Sequence, residues 1–212
     1  AHFAGYGLGW FLTDALGNMM VSHTGGLPGM LSKTILVPDL NLGVVVLTNT
    51  EPGGGVFFGS VSQTIVDAYL GLEDGQWVEK NYEWLQKNKA EGDAVTTAVW
   101  ETVKAAKNTK INSSDYLGTY GDAWFGRMEV FLKGNQLWIK SERSPKLNGP
   151  MQFYKANTFA VKWEYQDMNA DAFAMFRLDE NGKAIGLKLK GISPNIDFSF
   201  DFQDLDLQRV EK

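Results

Sequence analysis

Charge is spread along this 212-residue chain in a way that limits what its first third can become. Residues 1–72 carry five charged side chains: Asp14, Asp39, Glu51, Asp67 and Lys33. Between them lie strand-forming runs. Tyr6, Leu8, Trp10 and Leu12 alternate with Gly7, Phe11 and Gly9, a period-two pattern that predicts one strand through 6–12. Gly7 and Gly9 on one face would let a helix or ligand approach the backbone. Further strands are predicted near 18–23, 31–37 and 43–49, separated by the turn-formers of GGLPG and PDLNLG. The run Gly43-Val44-Val45-Val46-Leu47-Thr48-Asn49 does not alternate, which predicts burial on both faces. After Pro52 and three glycines, Val61, Ile65 and Ala68/Tyr69 recur at helical spacing. One helix covers one sheet face, and nothing else in 1–72 can cover the other. The region therefore reads as a piece of a larger α/β domain, the alternative being that the next region folds back over the open face.

Charge rises sharply after residue 72, and three regions follow: 1–72, a helical linker at 73–112, and an all-β domain at 113–212. The linker holds seven acidic and six basic side chains. Trp77/Val78, Tyr82 and Leu85 form one helical stripe and Val95, Val99 and Val103 a second, with Gly92 predicted to break or bend the helix between them. In 113–212, alternating runs at Met128–Leu132, Leu137–Ile139, Phe159–Trp163 and Ile185–Leu189 are strands. Lys133-Gly134-Asn135 and Asp179-Glu180-Asn181-Gly182 have the composition of turns. With candidates at 116–121, 150–155, 172–178 and 197–207, about eight short antiparallel strands result, which favours a closed, lipocalin-like barrel that removes exposed edges. In the last strand Phe198, Phe200 and Phe202 share a face, while Leu205 and Leu207 fall out of phase, predicting a bulge near Gln203-Asp204. The fold class is α+β: a sheet with a helix, a helical linker, then a barrel.

Composition removes several chemistries. With no cysteine, disulfides, thiolate zinc sites and thiol nucleophiles are excluded. Two histidines, His2 and His23, cannot build a multi-imidazole metal site. A net charge of −5 argues against a nucleic-acid partner, and no apolar run reaches the ~18 residues of a membrane span. The chain opens AHFAGYGLGW, with no Met and no signal-peptide pattern, so either a leader was removed or the chain is part of something longer. No serine is flanked by glycines two places either side, and no Lys-Ser/Thr follows Gly53-Gly54-Gly55, which removes the nucleophile elbow and the phosphate loop. Asp197, Asp201, Asp204 and Asp206 are better explained as the wet face of a strand than as a calcium site. No cofactor or metal is expected.

One cluster carries chemistry: Ser22-His23-Thr24-Gly25-Gly26-Leu27-Pro28-Gly29-Met30. It puts an imidazole and a hydroxyl at a strand end, just before glycines whose backbone N–H could face a developing oxyanion. On spacing alone, a histidine at a strand end is more often structural. The neighbouring sequence reverses that weighting. YGLGWF, HTGGLPGM and LVPDLNLGVVVLTN together resemble the C-terminal part of the serine β-lactamase-related family, which includes class C β-lactamases, penicillin-binding proteins and esterase-like relatives. That family carries Ser-x-x-Lys, Tyr-x-Asn/Ser, and Lys-Thr-Gly or His-x-Gly motifs, two of them general catalytic signatures. The resemblance implies that His23-Thr24-Gly25 is the third motif, that His23 and Thr24 face substrate, and that the Gly26 N–H is an oxyanion-hole donor. The closing SPNIDFSFDFQDLDLQRV, with Tyr116-x-Gly-x-Tyr120 before it, resembles an uncharacterised domain often appended to these hydrolases.

The departures matter as much. The residue three places after each serine is never lysine, and no Tyr-x-Asn or Tyr-x-Ser occurs. A donor without a nucleophile cannot form an acyl-enzyme. This chain is thus expected to be a site fragment, inactive alone, of an acyl-transfer enzyme acting on an ester, amide or β-lactam. An imidazole carries less charge at neutral pH than lysine, which favours ester or peptide-like substrates over carboxylate-bearing β-lactams. Its expected partner is the missing N-terminal part of the hydrolase domain, or a second copy meeting the uncovered sheet face. The resemblance implies a bacterial protein in the periplasmic or extracellular space. Two other readings stand beside this one. The aromatic-rich barrel could be a non-enzymatic module for a small apolar ligand or a partner protein, or an assembly or lid element; an internal cavity would favour ligand binding, and a barrel axis closed by interdigitated rings would argue against it.

Overall fold

The computed structural model of the chain describes residues 3–51, 53–196 and 199–210. It divides into two compact units, Ala1–Asn88 and Lys89–Lys212. The first holds an antiparallel five-stranded meander in sequence order: β1 (Ala4–Gly7), β2 (Trp10–Ala15), β3 (Asn18–Leu27), β4 (Met30–Val37) and β5 (Leu42–Leu47). The single strand expected through 6–12 is in fact a hairpin. Leu8 and Gly9 form its two-residue turn with φ of 53° and 82°, and Gly7 pairs with Trp10 across it. Two successive left-handed residues match the twist of the flanking strands, and glycine takes that conformation without strain. The glycines here serve the turn rather than a close approach, since a Cβ at Gly7 would meet nothing within 4 Å. The β3 strand also runs further than its turn-formers suggest, through Gly25 and Gly26 to Leu27, leaving Pro28-Gly29 as the turn.

The sheet buries one face. Ile35 and Val37 of β4 and Leu42, Val44 and Val46 of β5 form a core with Val66 of helix α1 (Gly53–Tyr69). Each such side chain withdrawn from water contributes about 1.5–3 kcal/mol. The other face is open: Val45 is 63% and Leu47 75% exposed, and Leu36 is exposed beside them. The expectation that 43–49 is buried on both faces is therefore wrong for this chain. The sequence lacks alternation, yet one helix covers one side. Nor does the next segment fold back over the open face. Its first residues pack on α1 instead: the Trp77 indole N–H donates to Asp67 Oδ2 at 2.6 Å, Gln63 Nε2 donates to Asp67 Oδ1 at 2.9 Å, and Asn81 Nδ2 donates to Ser60 Oγ at 3.0 Å. These bonds satisfy a carboxylate and a hydroxyl that are both buried.

Helix α2 runs unbroken from Trp77 to Ala105, so Gly92 does not break it into two helices. Glycine stands there for space: a Cβ would lie 2.4 Å from the amide nitrogen of Asn195. In the second unit, Val99 and Val103 of this helix pack with Ala160 and Ile192.

The second unit is a closed antiparallel barrel of eight strands: β6 (Gly118–Asp122), β7 (Gly126–Lys133), β8 (Gln136–Ser141), β9 (Asn148–Lys155), β10 (Thr158–Val161), β11 (Ala172–Leu178), β12 (Ala184–Gly191) and β13 (Leu207–Val210). Closure is made by β13, which pairs with β12 on one side and β6 on the other. Alternation places Tyr120, Met128, Val130, Ile139, Phe159, Phe176 and Leu187 inside. Tyr116, Phe159 and Phe176 meet edge to face, with ring centroids 4.9–5.7 Å apart. The last strand differs from expectation. A strand through 197–207 does not form among the described residues; Phe202–Asp204 is a 3₁₀ turn where a bulge was expected, and pairing begins only at Leu207. Phe202 is buried by that turn, so its phase is set by the turn and not by a pleat. Phe198 and Asp197 lie outside the described residues. No described helix is long and apolar enough to cross a membrane.

Candidate functional site

His23 sits in the middle of β3, and two aromatic side chains from the β1–β2 hairpin gather around it. The Phe11 ring stacks at 5.7 Å between centroids, and the Tyr6 ring lies at 5.9 Å. Hydrogen bonding fixes how the imidazole is used. A carbonyl oxygen can only accept, so the 2.5 Å contact between Nδ1 and the Thr24 carbonyl places the proton on Nδ1. Nε2 lies within hydrogen-bond distance of the Tyr6 hydroxyl, 3.2 Å away. The result is a half-buried imidazole held between the Thr24 carbonyl and the exposed Tyr6 phenol.

The other candidate residues follow along β3. Thr24 is exposed and faces Lys33 in register, Gly25 faces Ser32, and Gly26 faces Leu31. Glycine at 25 has a local cause: a Cβ would come 2.7 Å from the Ser32 hydroxyl, which donates to the Gly25 carbonyl at 3.4 Å. Lys33 is half-buried under the Phe58 ring, its ammonium 5.8 Å from the centroid, and burial lowers its pKa from the usual lysine value. The loop beyond β3 is held by Glu51, which accepts from the Gly29 N–H at 2.9 Å.

The sequence reading put His23 and Thr24 at a strand end with Gly25 and Gly26 in the turn beyond; in the structure all four lie within β3. That reading missed Tyr6, Phe11 and Lys33. Tyr6 reaches His23 only because the chain reverses at Leu8-Gly9, and the Gly-x-Gly spacing around Leu8 was the available sign of that reversal. Among the described residues, no three His, Asp or Glu side chains converge in a way that could hold a metal ion.

The barrel has a polar cluster of its own, built from the residues of its sequence signature. Arg209 of β13 is the register partner of Tyr120 of β6. Its Nη1 donates to the Ala184 carbonyl at 2.6 Å and to the Tyr120 hydroxyl at 3.2 Å, and its Nη2 donates to the Leu117 carbonyl. Tyr120 in turn donates to the Tyr116 carbonyl at 2.7 Å. Burial pushes the Tyr120 phenol up to about 12, the Arg209 charge opposing it. Gly118 has φ of 146°, and a Cβ there would stand 3.1 Å from the guanidinium. The Tyr-x-Gly-x-Tyr motif and the distant arginine are one clamp across the seam that closes the barrel.

The chain thus joins a five-stranded sheet carrying His23-Thr24-Gly25 on its third strand to a closed eight-stranded barrel. A sequence model of the family described as Beta-lactamase matches residues 2–59. A model described as Domain of unknown function (DUF3471) matches residues 103–209, just over half of the chain, and the chain belongs to that family. No curated protein matches the chain. Similar solved structures include a crystal structure of SurE (12% identity, TM-score 0.36, 97% of this chain and 38% of that one). SurE with D-Leu is similar too (13%, 0.36, 97% and 39%), as is the octameric penicillin-binding protein homologue from Pyrococcus abyssi (16%, 0.30, 91% and 36%). The chain spans less than two-fifths of the length of each.

Proposed function

We propose that residues 1–72 supply one wall of an acyl-transfer site of the β-lactamase type, with the attacking serine and its lysine supplied from outside this chain. In this reading 73–112 is a helical linker and 113–212 an accessory barrel. His23 and Thr24 face the substrate's polar groups, and the Gly26 N–H is one donor to the tetrahedral oxyanion, where charge develops and a fixed dipole lowers the barrier most. The reading is carried by one observation: His23-Thr24-Gly25 lies on β3 inside the segment matched by the Beta-lactamase family model. The absence of any Ser-x-x-Lys supports incompleteness, because without an activated hydroxyl no covalent intermediate forms. The exposed apolar face bearing Leu36, Val45 and Leu47 supports a cover provided by the remaining part of a hydrolase domain or by a second copy.

The test is turnover of a chromogenic ester and a chromogenic cephalosporin by this chain and by a protein extended upstream to include a Ser-x-x-Lys segment. The proposal expects no turnover above buffer from this chain, turnover from the longer protein, and a loss of at least tenfold in kcat/KM on His23→Ala in the longer protein. Sustained turnover by this chain alone would overturn it.

A further inference from the structure

The barrel interior is closed by side chains along most of its length, but one end is not. Residues of the loops β6–β7, β8–β9 and β10–β11 gather there with residues 199–205, and they line a cavity of about 580 Å³. That volume lies within the range of small-molecule sites, roughly 300–1,000 Å³. Its floor is core: Met128, Leu189 and Leu207 are buried at the strand ends, and Leu147, Met168 and Phe202 close the sides. Among the described residues, the buried side-chain polar atoms without a partner are Thr13 Oγ1 and Asn148 Oδ1, and neither lines this space. The interior therefore asks its occupant for hydrocarbon and for no buried polar group.

The rim is different. Ser141, Ser144 and Lys146 come from the β8–β9 side, the Lys146 ammonium resting 4.0 Å over the Tyr165 ring. Asp201 is the acidic lining residue, and its carboxylate already accepts from Gln203 Nε2 at 3.1 Å. Lys146 is the one basic residue among those lining the cavity, which gives an anionic head a cation at the rim.

We propose that this end of the barrel binds an amphiphile with a hydrocarbon tail and a carboxylate head, the tail among Met128, Leu147, Met168 and Leu189 and the head at Lys146. The site is independent of the acyl-transfer reading, since every residue in it belongs to the second unit. Methyl-labelled methionine reports it in the unmodified protein. Met128 and Met168 line the cavity, whereas Met151, buried in the barrel core, and Met175 line other cavities. Titration with dodecanoate below its micellar concentration is expected to shift the Met128 and Met168 methyl resonances saturably, leaving Met151 and Met175 in place. Lys146→Glu is expected to weaken binding at least tenfold, and dodecyltrimethylammonium to bind at least tenfold more weakly than dodecanoate. Met168→Trp, which fills the space, is expected to abolish the shift at Met128. No shift up to 1 mM dodecanoate, shifts spread equally over all four methionines, or equal binding of the cationic amphiphile would each overturn the assignment.

Discussion

Replacing Arg209 with alanine tests the account of how the barrel closes. The substitution removes three charge-assisted hydrogen bonds: to the Ala184 carbonyl, the Leu117 carbonyl and the Tyr120 hydroxyl. It also removes a guanidinium lying 5.7 Å from the Tyr120 ring. Bonds to charged groups contribute about 1.5–3 kcal/mol each, but Arg209 is half-buried and water re-enters part of the gap, so the sum is not reached. A net loss of about 3–5 kcal/mol is expected. For a unit the size of Lys89–Lys212, each kcal/mol lowers Tm by about 3–6 °C, which gives a drop of roughly 10–30 °C. Near-UV circular dichroism follows the melting of the buried rings directly. Arg209→Lys should recover less than half of the loss, because one ammonium cannot span two carbonyls that a planar fork bridges. Adding Tyr120→Phe to Arg209→Ala should cost less than the two single changes together. A drop under about 3 °C for Arg209→Ala would refute the clamp and leave the short β13 pairings to hold the seam alone.

Three further outcomes follow from the same contacts. Because the Tyr120 phenol is raised to about 12 while an unfolded tyrosine ionises near 10, the folded state keeps its proton longer, so stability should fall as pH rises from 10 towards 12; urea midpoints across that range should fall less steeply in Tyr120→Phe, and equal slopes would contradict this. The Asp122 carboxylate is held below its ordinary 3.8, first by the Phe125 N–H and then by the Trp124 N–H, so its stabilisation is present above pH 3.8 and is lost as pH falls through the lower folded value; Asp122→Asn should flatten acid unfolding in that window. On the open sheet face, Val45→Lys with Leu47→Glu should shift sedimentation towards monomer while lowering Tm by no more than a few degrees, since both side chains are largely exposed; a wild-type chain that stays a compact monomer at high concentration would speak against any use of that face in assembly.

Much of the architecture was legible because its signals are local. Strand alternation in 113–212, with turns at Gly134 and Gly182, was enough for an eight-stranded barrel, and the helix after Pro52 was plain from its stripe. The errors came where a local pattern had two meanings. Tyr6-Gly7-Leu8-Gly9-Trp10 alternates as a strand does, but the same glycines allow a reversal, and the choice depends on Gly7 pairing with Trp10. Gly92 looked like a helix breaker because propensity scales count only the helix, whereas the Asn195 side chain that needs its space is a hundred residues away. Phe198, Phe200 and Phe202 suggested one pleated face, and a 3₁₀ turn buries Phe202 instead. At the candidate site, the order His23-Thr24-Gly25-Gly26 stands in the sequence, inside the segment that the Beta-lactamase model matches. Tyr6 and Arg209 could not be read in their roles, since each is defined by a partner brought near only by folding.

Intact-mass spectrometry after incubation with an acylating β-lactam and with a fluorophosphonate asks most directly whether this chain holds half of an acylation site. The account predicts an unchanged mass for this chain under conditions in which a protein extended to carry Ser-x-x-Lys gains one adduct. A stoichiometric adduct on any of the ten serines of this chain would contradict it.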